Sequence, residues 1–163
     1  MRSILNRVMP TVAAVSVLAL AACQSAASSD ATPEELVSRL GDSQTTQDEL
    51  EDYLLPEDTA PEDVRKLGDI GDVRFYVSSA TISGNMTICL IAIVPSANTG
   101  GELGSTGCEL LPEFAEGGAE LHLDTQGPDA IAMDALLVPD NGGPSTDLPE
   151  VAPNVHAVIE PKS

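Results

Sequence analysis

Beyond residue 71 apolar and polar positions alternate with the period of two expected of strands that bury one face. Val73, Phe75 and Val77 alternate with Arg74 and Tyr76, which predicts a strand over Asp72 to Ser79. Asn85 to Val94 is apolar at almost every position, with Ile88, Leu90, Ala92 and Val94 on one parity and Cys89, Ile91 and Ile93 on the other. Such a run predicts a central strand buried on both faces. A turn-rich stretch from Ser96 to Gly101 leads into a strand over Leu103 to Leu110, placed antiparallel beside the central one. Pro112 to Glu116 predicts one helical turn before Gly117-Gly118, after which Ala119, Leu121 and Leu123 alternate with Glu120, His122 and Asp124. Two more strands are expected, over Asp129 to Val138 and over Asn154 to Glu160, the first stopped by Pro139-Asp140-Asn141-Gly142-Gly143. The region from 67 to 163 is therefore expected to be mainly β, a small antiparallel sheet or sandwich-like domain.

The preceding stretch has helical rather than strand signals. Thr32 as N-cap, Pro33 in the first turn, Glu35 completing a capping box and Gly41 as a stop predict a helix of about two turns. Thr46 with Glu49 introduces Leu50, Tyr53 and Leu54 at helical spacing, and Thr59 with Glu62 introduces one further turn over Pro61 to Lys66. Few of these positions are apolar, so residues 32–66 read as an acidic arm of short helical turns, packed on the domain through Leu50, Leu54 and Val64.

The first 22 residues follow neither pattern. Arg2 and Arg7 flank the start of an apolar run from Val8 to Ala22, too short to span a bilayer and of the length of an export signal. It ends in Leu20-Ala21-Ala22-Cys23, which resembles the lipobox of bacterial lipoproteins. That resemblance implies cleavage before Cys23, lipidation of its thiol, and a location on the extracytoplasmic face of the cell membrane. Two acyl chains, at about 0.8 kcal/mol per buried methylene, suffice for stable anchoring. Residues 24–31, Gln-Ser-Ala-Ala-Ser-Ser-Asp-Ala, are small and polar, as a tether requires.

Charge sharpens this picture. Arg2 and Arg7 leave with the signal while all 26 acidic residues remain, so 5 basic residues face 26 acidic ones and the mature net charge is −21. Nucleic acid is excluded as a partner. The same charge repels an anionic lipid surface within about one Debye length, ~8 Å.

With Cys23 assigned to lipid, Cys89 and Cys108 form an even pair in an oxidising compartment and are expected to be disulfide-bonded. The loop holds 18 residues (108 − 89 − 1), and closing it is worth about 3 kcal/mol in the entropic account. Bridging requires α-carbons roughly 4.4–6.8 Å apart.

Candidate chemistry is sparse. His122 and His156 lie on the polar parity of their strands and would face each other only if those strands pair, so no metal site is assigned. Asp140 to Gly143 has the oxygens but not the spacing of a calcium loop and reads as a turn. Ser78, Ser79 and Ser83 have no neighbouring base, no Gly-x-Ser-x-Gly elbow occurs, and Asn85-Met86-Thr87 is a chance sequon. No catalytic residue, cofactor or nucleotide-binding glycine motif is assigned.

The landmarks Ile88-Cys89-Leu90-Ile91, Gly107-Cys108, Phe114, Gly117-Gly118, Leu137-Val138-Pro139-Asp140 and Asn154-Val155 together resemble a loose group of uncharacterised lipoproteins of high-GC Gram-positive bacteria. In that group Pro-Asp is followed directly by Gly, whereas Asn141 intervenes here. The resemblance implies a disulfide-bearing β-domain outside the plasma membrane and no reaction. Two roles follow: a non-catalytic envelope module that binds or supports a partner protein, or a small extracytoplasmic hydrolase. The chain has only two Phe, two Tyr and no Trp, and it lacks a nucleophile-base pair, which favours the first role without an aromatic interface.

Overall fold

The alternating stretches become strands, each antiparallel to its neighbours. The computed structural model describes residues 31–96, 100–127 and 130–162. Among the described residues the strands are β1 Val64–Ile70, β2 Val73–Ile82, β3 Asn85–Pro95, β4 Glu102–Leu110, β5 Ala119–Asp124, β6 Ile131–Leu137, β7 Glu150–Ala152 and β8 Val155–Pro161. They form two four-stranded antiparallel sheets, ordered β1-β2-β3-β4 and β5-β6-β8-β7. The β2–β3 hairpin turns at Ser83 (φ 53°) and Gly84 (φ 82°), two consecutive left-handed residues whose twist matches that of the strands they join.

The sheets pack face to face. Phe75 and Val77 of β2 and Ile88, Leu90 and Ala92 of β3 meet Leu121, Met133, Ala135, Leu137, Val155 and Ala157 of the second sheet in one buried cluster. The opposite parity of β3 is buried as well: Ile91 and Ile93 join Tyr76 and Val64 under Leu54, with Leu50 and Leu55 alongside. β3 is thus covered on both faces, as its continuous apolar run predicts. Both lateral edges of the sandwich are closed. A β-carbon on Gly107 of β4 would lie 1.8 Å from the Glu120 carbonyl oxygen of β5, and one on Gly68 of β1 would lie 2.9 Å from Ala152 Cβ of β7. Gly68 follows a bulge in β1 at Leu67, a device that shortens an edge and discourages further pairing.

The N-terminal arm is more deeply built in than its composition suggests. Pro33–Leu36 forms α1, where the Thr32 N–H donates to Glu35 Oε2 at 2.9 Å, and a 3-10 turn follows over Ser38–Gly41 in place of a second α-helical turn. Leu36, Val37 and Leu40 all enter the main core. The helix expected from Thr46 shrinks to a 3-10 turn at Asp52–Leu54. The turn at Pro61–Asp63 passes straight into β1, which runs across the 66/67 boundary read from the sequence. Tertiary hydrogen bonds replace helical ones here. Asp48, with no exposed side chain, accepts from the Lys66 N–H (2.7 Å), the Thr45 N–H (2.7 Å), the Thr45 hydroxyl (2.8 Å) and Arg39 Nη2 (2.8 Å). Arg65 donates to the carbonyls of Asp42, Glu62 and Val64.

α2 (Leu111–Gly117) joins β4 to β5 and buries Phe114 completely. Together α1 and α2 close one end of the sandwich, where β5 and β8 begin and β6 ends. The other end carries the β1–β2 turn and the last residues of β3, β5 and β8, and is the more open of the two.

Candidate functional site

Cys23, the residue expected to carry lipid, and the signal and tether segments through residue 30 lie outside the described residues, as does Asp129 at the expected start of β6. The other sequence-assigned pair is present. Cys89 and Cys108 face each other in register across β3 and β4 and are joined by a disulfide. Their α-carbons are 4.0 Å apart, closer than the range expected for disulfides in general. The two residues are directly opposed in the ladder, where α-carbons already lie about 4.5–5.5 Å apart before any bridge forms. Ser78, beside Cys89 on β2, is fully buried, and its hydroxyl has no partner among the described residues. In the sequon, the Thr87 hydroxyl is committed to the Ala80 carbonyl at 3.0 Å.

His122 and His156 do not meet. Their strands do not pair, because β6 lies between β5 and β8. His122 instead stands opposite Asp134 of β6, with Nδ1 2.5 Å from Oδ1, and His156 Nδ1 is 3.0 Å from the Leu148 carbonyl oxygen. The His122–Asp134 pair lines a shallow hollow of about 500 Å³ with Glu120, Leu136, Thr146 and Leu148. Both side chains of the pair are well exposed, at 68% and 62%. The Thr146 hydroxyl in the same hollow accepts from the Leu148 N–H at 3.2 Å. A carboxylate holding one imidazole nitrogen is half of a proton-transfer device, and the water around it weakens the coupling. Among the described residues no group of three or more His, Cys, Asp or Glu side chains is arranged to hold a metal ion.

Asp140, the candidate oxygen ligand, is used as a structural acceptor. It takes hydrogen bonds from the Ser38 N–H (2.7 Å) and Asn154 Nδ2 (2.7 Å), while its own N–H donates to the Leu36 carbonyl (2.8 Å). Burial alone would raise its carboxyl above the ordinary value, but the Ser38 and Asn154 hydrogen bonds outweigh that and hold it below. The turn therefore fastens α1 and the β7–β8 turn to the end of β6.

A second and larger hollow lies at the open end, between the two sheets. It is a groove of about 650 Å³ walled by Ile70, Val73, Val94, Ile131 and Ile159, with Asp72, Thr125 and Lys162 among its polar lining residues. That volume falls within the range of ligand pockets, ~300–1,000 Å³, and the mostly apolar wall with a few polar groups is their usual composition. Lys162 Nζ is paired with the Asp124 carboxylate, and among the described residues no cation pairs with Asp72. Sequence reading missed the groove because its lining comes from four separate stretches that only the packing of the two sheets brings together. Its signal was faint: Ile70 is the last residue of β1 and Ile159 lies two before the end of β8, where apolar side chains have less to pack against.

Among the described residues no helix is long and apolar enough to cross a membrane. No family model, curated protein or solved structure matches the chain.

Proposed function

We propose that the chain is a lipid-anchored module on the extracytoplasmic face of the cell membrane that binds or supports another envelope component without catalysing a reaction. The observation that carries this reading is Leu20-Ala21-Ala22-Cys23 at the end of an apolar run of export length. The Cys89–Cys108 disulfide supports it, since such bridges persist in oxidising compartments. The binding role draws on the groove at the open end of the sandwich. A hydrolase would have to draw on the His122–Asp134 pair, beside which the Thr146 hydroxyl accepts from the Leu148 N–H rather than from either member of the pair.

Expression of wild type and Cys23→Ser in a bacterial host tests the anchor. Wild type is expected to incorporate a tagged fatty acid and partition into the detergent phase, and Cys23→Ser to accumulate as precursor or appear in the medium. Equal partitioning of the two, with no fatty acid incorporated, would refute the assignment.

A further inference from the structure

We propose that the groove at the open end binds an alkylammonium-type amphiphile, an apolar chain carrying a cationic head, arriving from the aqueous side rather than from the bilayer. The proposal deepens the binding role above and shares its anchor. The walls define the apolar half of the ligand: Ile70, Val73, Val94, Ile131 and Ile159 offer branched aliphatic surface and no aromatic ring. Ile70 is 37% exposed, and Ile131 and Ile159 are half-buried. Large aliphatic side chains standing open around a concavity favour a ligand that covers them.

The polar lining defines the head. Asp72 sits in the β1–β2 turn and has no cationic partner among the described residues, whereas the single cation of the lining, Lys162, is neutralised by Asp124. The whole domain is strongly acidic, so an anionic head group meets repulsion both locally and at long range. A cationic head meets the Asp72 carboxylate.

Direction of access follows from where the chain enters. Ala31 packs on the core next to α1, at the closed end, where the Asp140 N–H holds the Leu36 carbonyl. Cys23 lies 8 residues earlier (31 − 23), a reach of at most ~29 Å. β3 alone, with 11 residues, is ~36 Å long. A lipid on Cys23 therefore draws the closed end toward the membrane and leaves the groove on the far side.

The test uses the whole chain carrying Cys23→Ser, so that failure of the groove is separable from failure of the anchor, which acylation and partitioning of wild type report independently. Octylammonium, octanol and octanoate are titrated separately, and binding is followed by amide chemical shifts. Octylammonium is expected to give saturable shifts at Ile70 to Val73, Ile131 and Ile159, with affinity above octanol and octanoate weakest. Ile131→Trp, which fills the groove, is expected to abolish them. Asp72→Asn, in an exposed turn that leaves the fold intact, is expected to lower octylammonium affinity about two- to fivefold and leave octanol unchanged, the range of one exposed charge pair. Absence of saturable shifts at the groove overturns the proposal. So do octanoate binding as tightly as octylammonium, and an Asp72→Asn variant with unchanged preference.

Discussion

Replacing Asp48 is the most direct way to ask whether the acidic arm belongs to the folded domain. Its carboxylate is fully buried and receives four donors, two of them the backbone N–H groups of Thr45 and Lys66. In Asp48→Ala these two donors lose their acceptor, each at about 1–3 kcal/mol. Arg39 is not orphaned, because it keeps Asp42 at 2.8 Å and the Lys66 carbonyl at 3.1 Å. The expected loss is therefore about 3 kcal/mol, set by the amides rather than by the ion pair. Asp48→Asn should also destabilise, since one end of the amide must present N–H groups to donors. Urea unfolding followed by tyrosine fluorescence measures the loss well, because Tyr76 is buried beneath the arm and the chain has no Trp. The pH dependence has a definite sign. Burial alone would raise the Asp48 carboxyl, but hydrogen bonds from Lys66 and Thr45, with the Arg39 charge, together hold it below its ordinary value of 3.8. A carboxyl depressed in the folded state contributes stability above its unfolded value and loses that contribution as pH falls through the folded one. The gap between wild type and Asp48→Asn should therefore be full above pH 3.8 and narrow as pH falls below it. A loss under about 1 kcal/mol, or a gap that does not change in acid, would contradict the reasoning.

Other perturbations probe the rest of the scaffold. Cys89→Ala or Cys108→Ala should each cost about 3 kcal/mol in denaturant unfolding, with the double mutant no worse and reductant reproducing the effect in wild type; free thiols by mass spectrometry in correctly exported protein would rule the bridge out. Gly107→Ala places a β-carbon against the Glu120 carbonyl oxygen, so β4 and β5 must separate, and a thermal melt should report a loss of at least about 1–3 kcal/mol. An unchanged melting temperature would mean that the seam is loose. Asp140→Ala should cost about 1.5–3 kcal/mol, the worth of hydrogen bonds to a charged group, and accelerate hydrogen exchange at the Ser38 amide; unaltered exchange there would count against the fastening role.

What could be read from the sequence was whatever depends on local period. β2, β3, β4, β5, β6 and β8 follow from alternation or from a sustained apolar run, and the β3–β4 pairing follows from a single short turn. β1 escaped the reading: Thr59 with Glu62 signals a helical turn that covers its first residues, Val64 to Lys66, and the Leu67 bulge with Arg65 and Lys66 breaks the alternation that would mark the rest. β7 has only three residues, Glu150–Ala152, between Pro149 and Pro153, and carries no period at all. The arm's helical start signals were present, but its conformation is decided by distant acceptors: Asp48 reaches Lys66, and Asp140 reaches Ser38. The His122–Asp134 pair was hidden for a related reason, since it exists only once β5 is known to pair with β6 rather than with β8.

The landmark residues that suggested a lipoprotein group have structural duties of their own. Cys89 and Cys108 bridge two strands, Gly107 permits the β4–β5 seam, and Phe114 fills the closed end of the core. Gly118, at φ 73°, turns from α2 into β5 where a β-carbon would lie 2.3 Å from the Leu137 carbonyl oxygen. Asp140 and Asn154 hold each other. None of these residues lines the groove, whose walls come from Ile70 to Val73, the end of β3, and the far ends of β6 and β8. The residues that specify the seam, the disulfide and the closed end thus stand apart from the groove, whose walls combine core members, Val73 and Val94, with half-buried strand-end residues, Ile131 and Ile159. Ile131→Trp, at a half-buried position beside the core, should alter what the groove accepts while the fold persists, whereas Gly107→Ala should unsettle the fold before any ligand is added.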